Sequence, residues 1–150
     1  MIRPSTVQPR NPRRGAAAAE LAILLPFLAT MFVIVLDFAR VYYYGVTLEG
    51  CARNGAYFAS DYPGLYDYSN ATNAAKADAA DLSPAPTVDI KYDSSATGSF
   101  SSGTPIATGY VKVTVNWDFS TVTNYPFPGM PNTFTMSRSV IMKMAPITIN

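Results

Sequence analysis

Histidine is absent from this chain of 150 residues, and cysteine and tryptophan occur once each. Without imidazole there is no Ser-His-Asp or Cys-His nucleophile system, no histidine metal site and no histidine pH switch. The single thiol, Cys51, excludes an internal disulfide and any structural zinc site built from four cysteines or from paired cysteines and histidines. Charge is scarce as well, with Asp, Glu, Lys and Arg making up 14% of the residues against about 25% in soluble domains. The net charge of +1 gives no reason to expect nucleic acid as a partner. No D-x-D-x-D-G loop, no G-x-x-x-x-G-K-[ST] and no G-x-G-x-x-G occurs, so neither a cofactor nor a small-molecule substrate is expected. The acids are scattered singly, and a paired-carboxylate hydrolase would need Asp61, Asp67, Asp89 or Asp118 to meet through folding alone. The composition points away from an enzyme.

What is present is unevenly placed. Before Ala16 stand Arg3, Arg10, Arg13 and Arg14, together with Pro4, Pro9, Pro12 and Gly15, and no acid. This stretch reads as a short basic arm without a core. From residue 15 onward seven basic residues face ten acidic ones, a balance of −3. Between the two parts lies AAAAELAILLPFLATMFVIVL, Ala16 to Leu36, with Glu20 as its one charge. At 1.5 Å per residue the run reaches roughly 31 Å, the hydrocarbon thickness of a bilayer. Arginines on its N-terminal side, and a following Arg40 that Asp37 can pair at i,i+3, predict a cytoplasmic N-terminus by the positive-inside rule. Tyr42, Tyr43 and Tyr44 suit the outer headgroup level.

A cleaved secretory signal would be followed by a small-residue site and a break in the helical pattern. Here the pattern continues through Val41, Tyr44, Leu48, Ala52, Gly55 and Ala59, with Glu49 and Arg53 as a favourable i,i+4 pair. One helix over 16–60 is predicted, stopped by Asp61-Tyr62-Pro63-Gly64. Pro26 predicts a kink within it. Gly45, Ala52, Gly55, Ala56 and Ala59 permit close approach, either to a neighbouring helix or to the protein's own β region. Cys51 has two readings, an intermolecular disulfide in an oxidising compartment or a small buried thiol.

Glu20 is costly at the inner edge of an apolar run unless it reaches headgroups, is protonated or finds a cation. A cut after Gly15 would supply that cation as the α-amine of Ala16. Helices packed side by side with a stagger of about one turn would bring this amine to a neighbour's Glu20 and set the register. Arg13-Arg14-Gly15, then Ala16 to Ala19, Glu20 and LAILLPFL resemble the class III signal of type IV pilin-like proteins. The closer similarity is to TadE-like proteins, the pseudopilins of the tight adherence (Flp) pilus, and it extends through Pro26, Asp37-Phe38-Ala39-Arg40 and the small-residue stretch Cys51 to Ala59. Many relatives carry an aromatic residue after the glutamate, where this chain has Leu21. The resemblance implies a minor pilin or assembly factor, cleaved between Gly15 and Ala16 by a prepilin peptidase. Its partners would be membrane lipid, other pilins or pseudopilins and the pilus assembly platform. It implies a bacterial inner membrane protein with a single pass and a C-terminal domain outside the cytoplasm. The rival reading is an uncleaved, single-pass envelope protein whose outer domain binds a partner.

The organisation expected is therefore a leader over 1–15, a spanning segment over 16–36 and an outer α+β domain over 64–150. In that domain Asn70 to Leu82 reads as a short helix capped by Ser69 or Asn70. Strands are predicted near 87–92, 110–119 and 133–144, where Val111, Val113, Val115, Trp117 and Phe119 alternate most regularly and Arg138 interrupts the apolar register of the third. Asp93 to Pro105 reads as an exposed loop, and Asn124 to Pro131 as a proline-rich one. Met136, Met142 and Met144 lack soft-metal co-ligands and read as packing. Three antiparallel strands with one apolar face need a cover, and the outer half of the long helix is available, giving a pilin-like arrangement.

Overall fold

The computed structural model describes residues 13–61, 68–106, 108–122 and 132–145, without the side chains of residues 13 and 14. The basic arm before Arg13, the Pro63-Gly64 helix stop and the Asn124 to Pro131 loop lie outside the described residues. The fold is α+β. Helix α1 runs Arg13–Asp61, α2 Tyr68–Ala77, and strands β1, β2 and β3 cover Thr87–Asp93, Tyr110–Ser120 and Thr133–Lys143. By its contacts the chain divides into two compact units, one ending at Leu36 and the other beginning at Asp37.

In the first unit every residue from Gly15 to Phe32 is exposed. Leucine, isoleucine and phenylalanine face outward all round, with Ile23 at 76% and Phe27 at 62% exposure. A helix apolar on every side has no use for water, and this one is long and apolar enough to cross a membrane. Pro26 sits inside it without ending it. The missing N–H deprives the carbonyl of Ala22 of its usual donor, and four residues on, the Thr30 hydroxyl donates to the carbonyl of Pro26 at 2.8 Å.

The second unit is built on a meander in the order β1-β2-β3, all antiparallel. In β2 the residues alternate as the sequence does: Val111, Val113, Val115 and Phe119 have no exposure, while Lys112, Thr114 and Asn116 face the other side. Alternation of period two gives a single apolar sheet face. The covering stripe is on α1, where Leu48, Cys51, Ala52, Ala56 and Ala59 are buried in one cluster with the β2 residues. Steps of three and four residues keep this stripe on one side of the helix. The Tyr44 ring packs at a tilt against Trp117 at 4.8 Å and Phe119 at 5.9 Å between ring centroids. At the far end of the stripe the amide of Ala145 donates to the carbonyl of Ser60 at 3.0 Å.

Several bounds differ from the sequence pattern: α1 begins at Arg13, within the stretch read as a basic arm, rather than at residue 16, and α1, β1 and β2 each run one residue past the expected end. Helix α2 begins at Tyr68 rather than after a cap at Ser69 or Asn70, and the Tyr68 hydroxyl ties this start to β1 by donating to the carbonyl of Val88 at 3.3 Å. It also ends at Ala77 rather than Leu82. Tight i→i+3 bonds follow, from the Ala79 amide to Lys76 and from the Leu82 amide to Ala79, both at 3.0 Å, as the chain turns toward Ser83-Pro84, where proline disfavours helical geometry in the preceding residue. Finally, β3 ends at Lys143, one residue short, while Met144 is buried outside the strand with its amide on the carbonyl of Gly109 at 2.9 Å.

Candidate functional site

The residues singled out by sequence fall into two groups. Gly15, Ala16 and Glu20 are exposed on α1. Ala16 and Glu20 are four residues apart and so share one helix face. Among the described residues no ion pair involves Glu20, and a Cβ built on Gly15 meets nothing within 4 Å. Arg13 and Arg14 open the helix.

The small residues farther along have a different setting. Gly45, Ala52, Gly55, Ala56 and Ala59 are all buried within the second unit. A Cβ on Gly55 would lie 2.8 Å from the Cβ of Ala75 in α2 and 3.2 Å from a methyl of Val113 in β2. Glycine here lets α1 touch a helix and a strand at once. A Cβ on Gly45 would meet Arg138 Nη2 at 3.3 Å and the Met136 methyl at 3.6 Å. The guanidinium that breaks the apolar register of β3 thus lies over a helix position with no side chain. Arg138 itself stays exposed and donates through Nη1 to the carbonyl of Ser137 at 3.0 Å.

Cys51 is free and fully buried. Burial pushes its thiol above the usual range, the carboxylate of Asp78 pushes it in the same direction, and a backbone hydrogen bond partly opposes both. A buried neutral thiol is a packing residue, not an accessible nucleophile. Among the described residues no group of three or more Cys, Asp or Glu side chains could hold a metal ion. Met136 and Met144 are buried in the core, with Met142 packed against it.

One constellation is visible in the sequence only in part. Arg40 pairs with Asp37 at 3.1 Å, as the i,i+3 spacing allows. The same carboxylate oxygen also accepts the backbone N–H of Val122 at 3.1 Å, across 85 positions of sequence. The Arg40 guanidinium lies over the rings of Phe119 at 5.0 Å and Tyr44 at 5.8 Å. Cation–π and charge-assisted contacts therefore fasten the exit of β2 to the first turn of the second unit. No local motif encodes the Val122 contact, since any residue but proline supplies an N–H.

No curated protein and no solved structure matches the chain. A family model described as "TadE-like protein" matches residues 15–56. The matched segment takes in the exposed apolar helix, the Asp37-Arg40 pair and most of the buried small-residue stripe. The family is one of structural, pilus-associated proteins, and a single apolar N-terminal helix fits a single-pass membrane protein. Residues 15–56 make this a chain with a TadE-like N-terminal segment, consistent with a TadE-like protein of the Tad pilus system.

Proposed function

We propose that the protein is a pseudopilin of a tight adherence pilus, held in the bacterial inner membrane through residues 16–36 with its N-terminus in the cytoplasm. A prepilin peptidase removes residues 1–15, and the mature chain joins other pilins or the assembly platform by packing its N-terminal helix side by side with theirs. The observation that carries this reading is the helix from Gly15 to Phe32, exposed all round and interrupted by Glu20 alone. Lipid satisfies the apolar side chains but not the carboxylate. Cleavage would leave a cationic α-amine at the start of a helix whose first turn, Ala16 to Ala19, holds no acid, a position where the helix dipole disfavours positive charge. A neighbour's Glu20, offset by about one turn, relieves both costs together.

The experiment is N-terminal sequencing of the protein purified from membranes of cells that contain the peptidase. A mature chain beginning at Ala16 is expected; an intact Met1 would favour a permanently anchored envelope protein, and a start after Leu36 a secreted one. Gly15→Leu is expected to block the cut. Because residue 15 is exposed and a Cβ there meets nothing within 4 Å, a block there reports the peptidase rather than a damaged fold.

A further inference from the structure

Beside the buried stripe, α1 carries a second, exposed one. Phe38, Tyr42, Val46, Glu49, Arg53 and Tyr57 follow at spacings of four, four, three, four and four residues, which keeps them on one side of a helix. All are exposed: the four apolar or aromatic members by 55% to 76%, Glu49 by 51% and Arg53 by 65% of their side chains. Tyr57 lies twenty residues past Asp37, or about 30 Å of helix axis, whereas a headgroup layer is only about 6 Å deep. Lipid therefore cannot cover the whole stripe.

Its charges indicate what does. Glu49 and Arg53 pair within the helix at 3.1 Å and retain open sides. A parallel copy in register would set Glu49 against Glu49 and Arg53 against Arg53, which repels. A copy displaced by four residues, about 6 Å along the axis, sets Glu49 against Arg53 instead. The same displacement places Phe38 beside Tyr42, Tyr42 beside Val46, and the Arg53 guanidinium beside the ring of Tyr57, an apolar, an apolar and a cation–π match.

We infer that this stripe docks on the same stripe of a second, parallel copy of the chain set back by four residues, with Glu49 of one copy against Arg53 of the other. The inference rests on the assembly reading above and fixes its partner and register. The test uses the full-length chain in membranes with the peptidase present and Cys51 replaced by alanine. One tagged copy carries Tyr42→Cys and a second, differently tagged, Val46→Cys, which leaves Glu49 and Arg53 in place in both, and cross-links are read after mild oxidation. The mixed 42–46 product is expected to exceed the 42–42 and 46–46 products severalfold. Dominant same-position products, or no product from a chain that begins at Ala16, would overturn the register while leaving the pseudopilin reading intact. A dominant 42–46 product from a chain that keeps Met1 would support the register and refute the cleavage. As an independent arm, Glu49→Arg co-expressed with Arg53→Glu is expected to co-purify about threefold better than either variant with itself, the scale of one exposed ion pair; equal capture would count against the pairing.

Discussion

Two glycines of the same helix give opposite expectations when each is changed to alanine. In an exposed helix interior Gly→Ala stabilises by about 1 kcal/mol through backbone entropy. At Gly45 the new methyl meets the tip of an exposed arginine at 3.3 Å, which can swing aside, so most of that gain survives. At Gly55 the methyl meets the Cβ of Ala75 at 2.8 Å, a methyl of Val113 at 3.2 Å and the carbonyl of Ala71 at 3.4 Å. Two of these three belong to α2 and one to the central strand, and none is the end of a flexible chain. Overpacking of this kind costs about 1–3 kcal/mol, leaving a net loss of about 1 kcal/mol after the helical gain. Thermal unfolding of the full chain in detergent, followed by the fluorescence of the single Trp117, reads the packed unit directly because that ring is buried beside Tyr44. For a domain of this size 1 kcal/mol moves the midpoint by about 4 °C. Gly45→Ala is expected to raise it by a few degrees and Gly55→Ala to lower it by a similar amount. If Gly55→Ala raised the midpoint as much as Gly45→Ala, the close contact of α1 with α2 and β2 would be wrong.

Asp37→Ala removes the acceptor for Arg40 and for the Val122 amide; a loss of about 1–2 kcal/mol is expected, allowing for the partial exposure of Arg40. Amide exchange at Val122 should accelerate, and unchanged exchange would rule out the contact. Cys51 should resist alkylation in the native protein and react on unfolding. Its folded thiol titrates above the unfolded one, so its contribution to stability is complete below the unfolded value of about 8.5 and is lost as pH rises through the folded value. Cys51→Ala should flatten that alkaline loss, and an identical pH profile in wild type and variant would contradict it. Glu20→Ala is expected to leave membrane insertion intact and reduce incorporation into the assembly; incorporation at the wild-type level would remove Glu20 from the mechanism.

The α+β class and the helix-on-sheet cover are legible in the sequence because both rest on periodicity. Val111 to Phe119 alternate with period two and Val41 to Ala59 recur at three or four, and an apolar stripe and an apolar face of that kind have little choice but to meet. The bounds of α2 are not legible, because Ala-rich sequence favours helix all the way to Leu82 and only the approach to Ser83-Pro84 tightens the last turn. The setting of Arg138 is likewise hidden. Read along β3 it is a charge on an apolar register, and its accommodation depends on Gly45, more than ninety positions earlier. The small residues of α1 show the limit most plainly. Glycine and alanine at such spacing announce that something approaches closely, without saying what, and around Gly45 and Gly55 the approaching atoms are those of Arg138, Met136, Ala71, Ala75 and Val113.

That assignment changes where an assembly surface is to be sought. A buried stripe already filled by the chain's own sheet and by α2 cannot also receive a neighbour without unfolding the unit, which would sacrifice a core containing Leu48, Val111, Val113, Val115 and Phe119. Burying side chains of this type contributes about 1.5–3 kcal/mol each, and one exposed interhelical contact cannot replace several of them. Contacts with other subunits must then use surfaces that are exposed in the single chain. On α1 these are the all-round apolar segment through Phe32 and, past Asp37, the stripe from Phe38 to Tyr57. The first is apolar enough for lipid to compete for it, so it gives little specificity by itself, and in the proposed assembly its one charge, Glu20, supplies the register. The second alternates aromatic rings with a charge pair and can discriminate between offsets. A variant such as Glu49→Gln, which leaves every buried contact untouched and removes only an exposed i,i+4 pair of about 0.5 kcal/mol, should therefore disturb pairing while lowering the unfolding midpoint by about 2 °C at most, whereas Gly55→Ala should lower the midpoint further before it affects pairing.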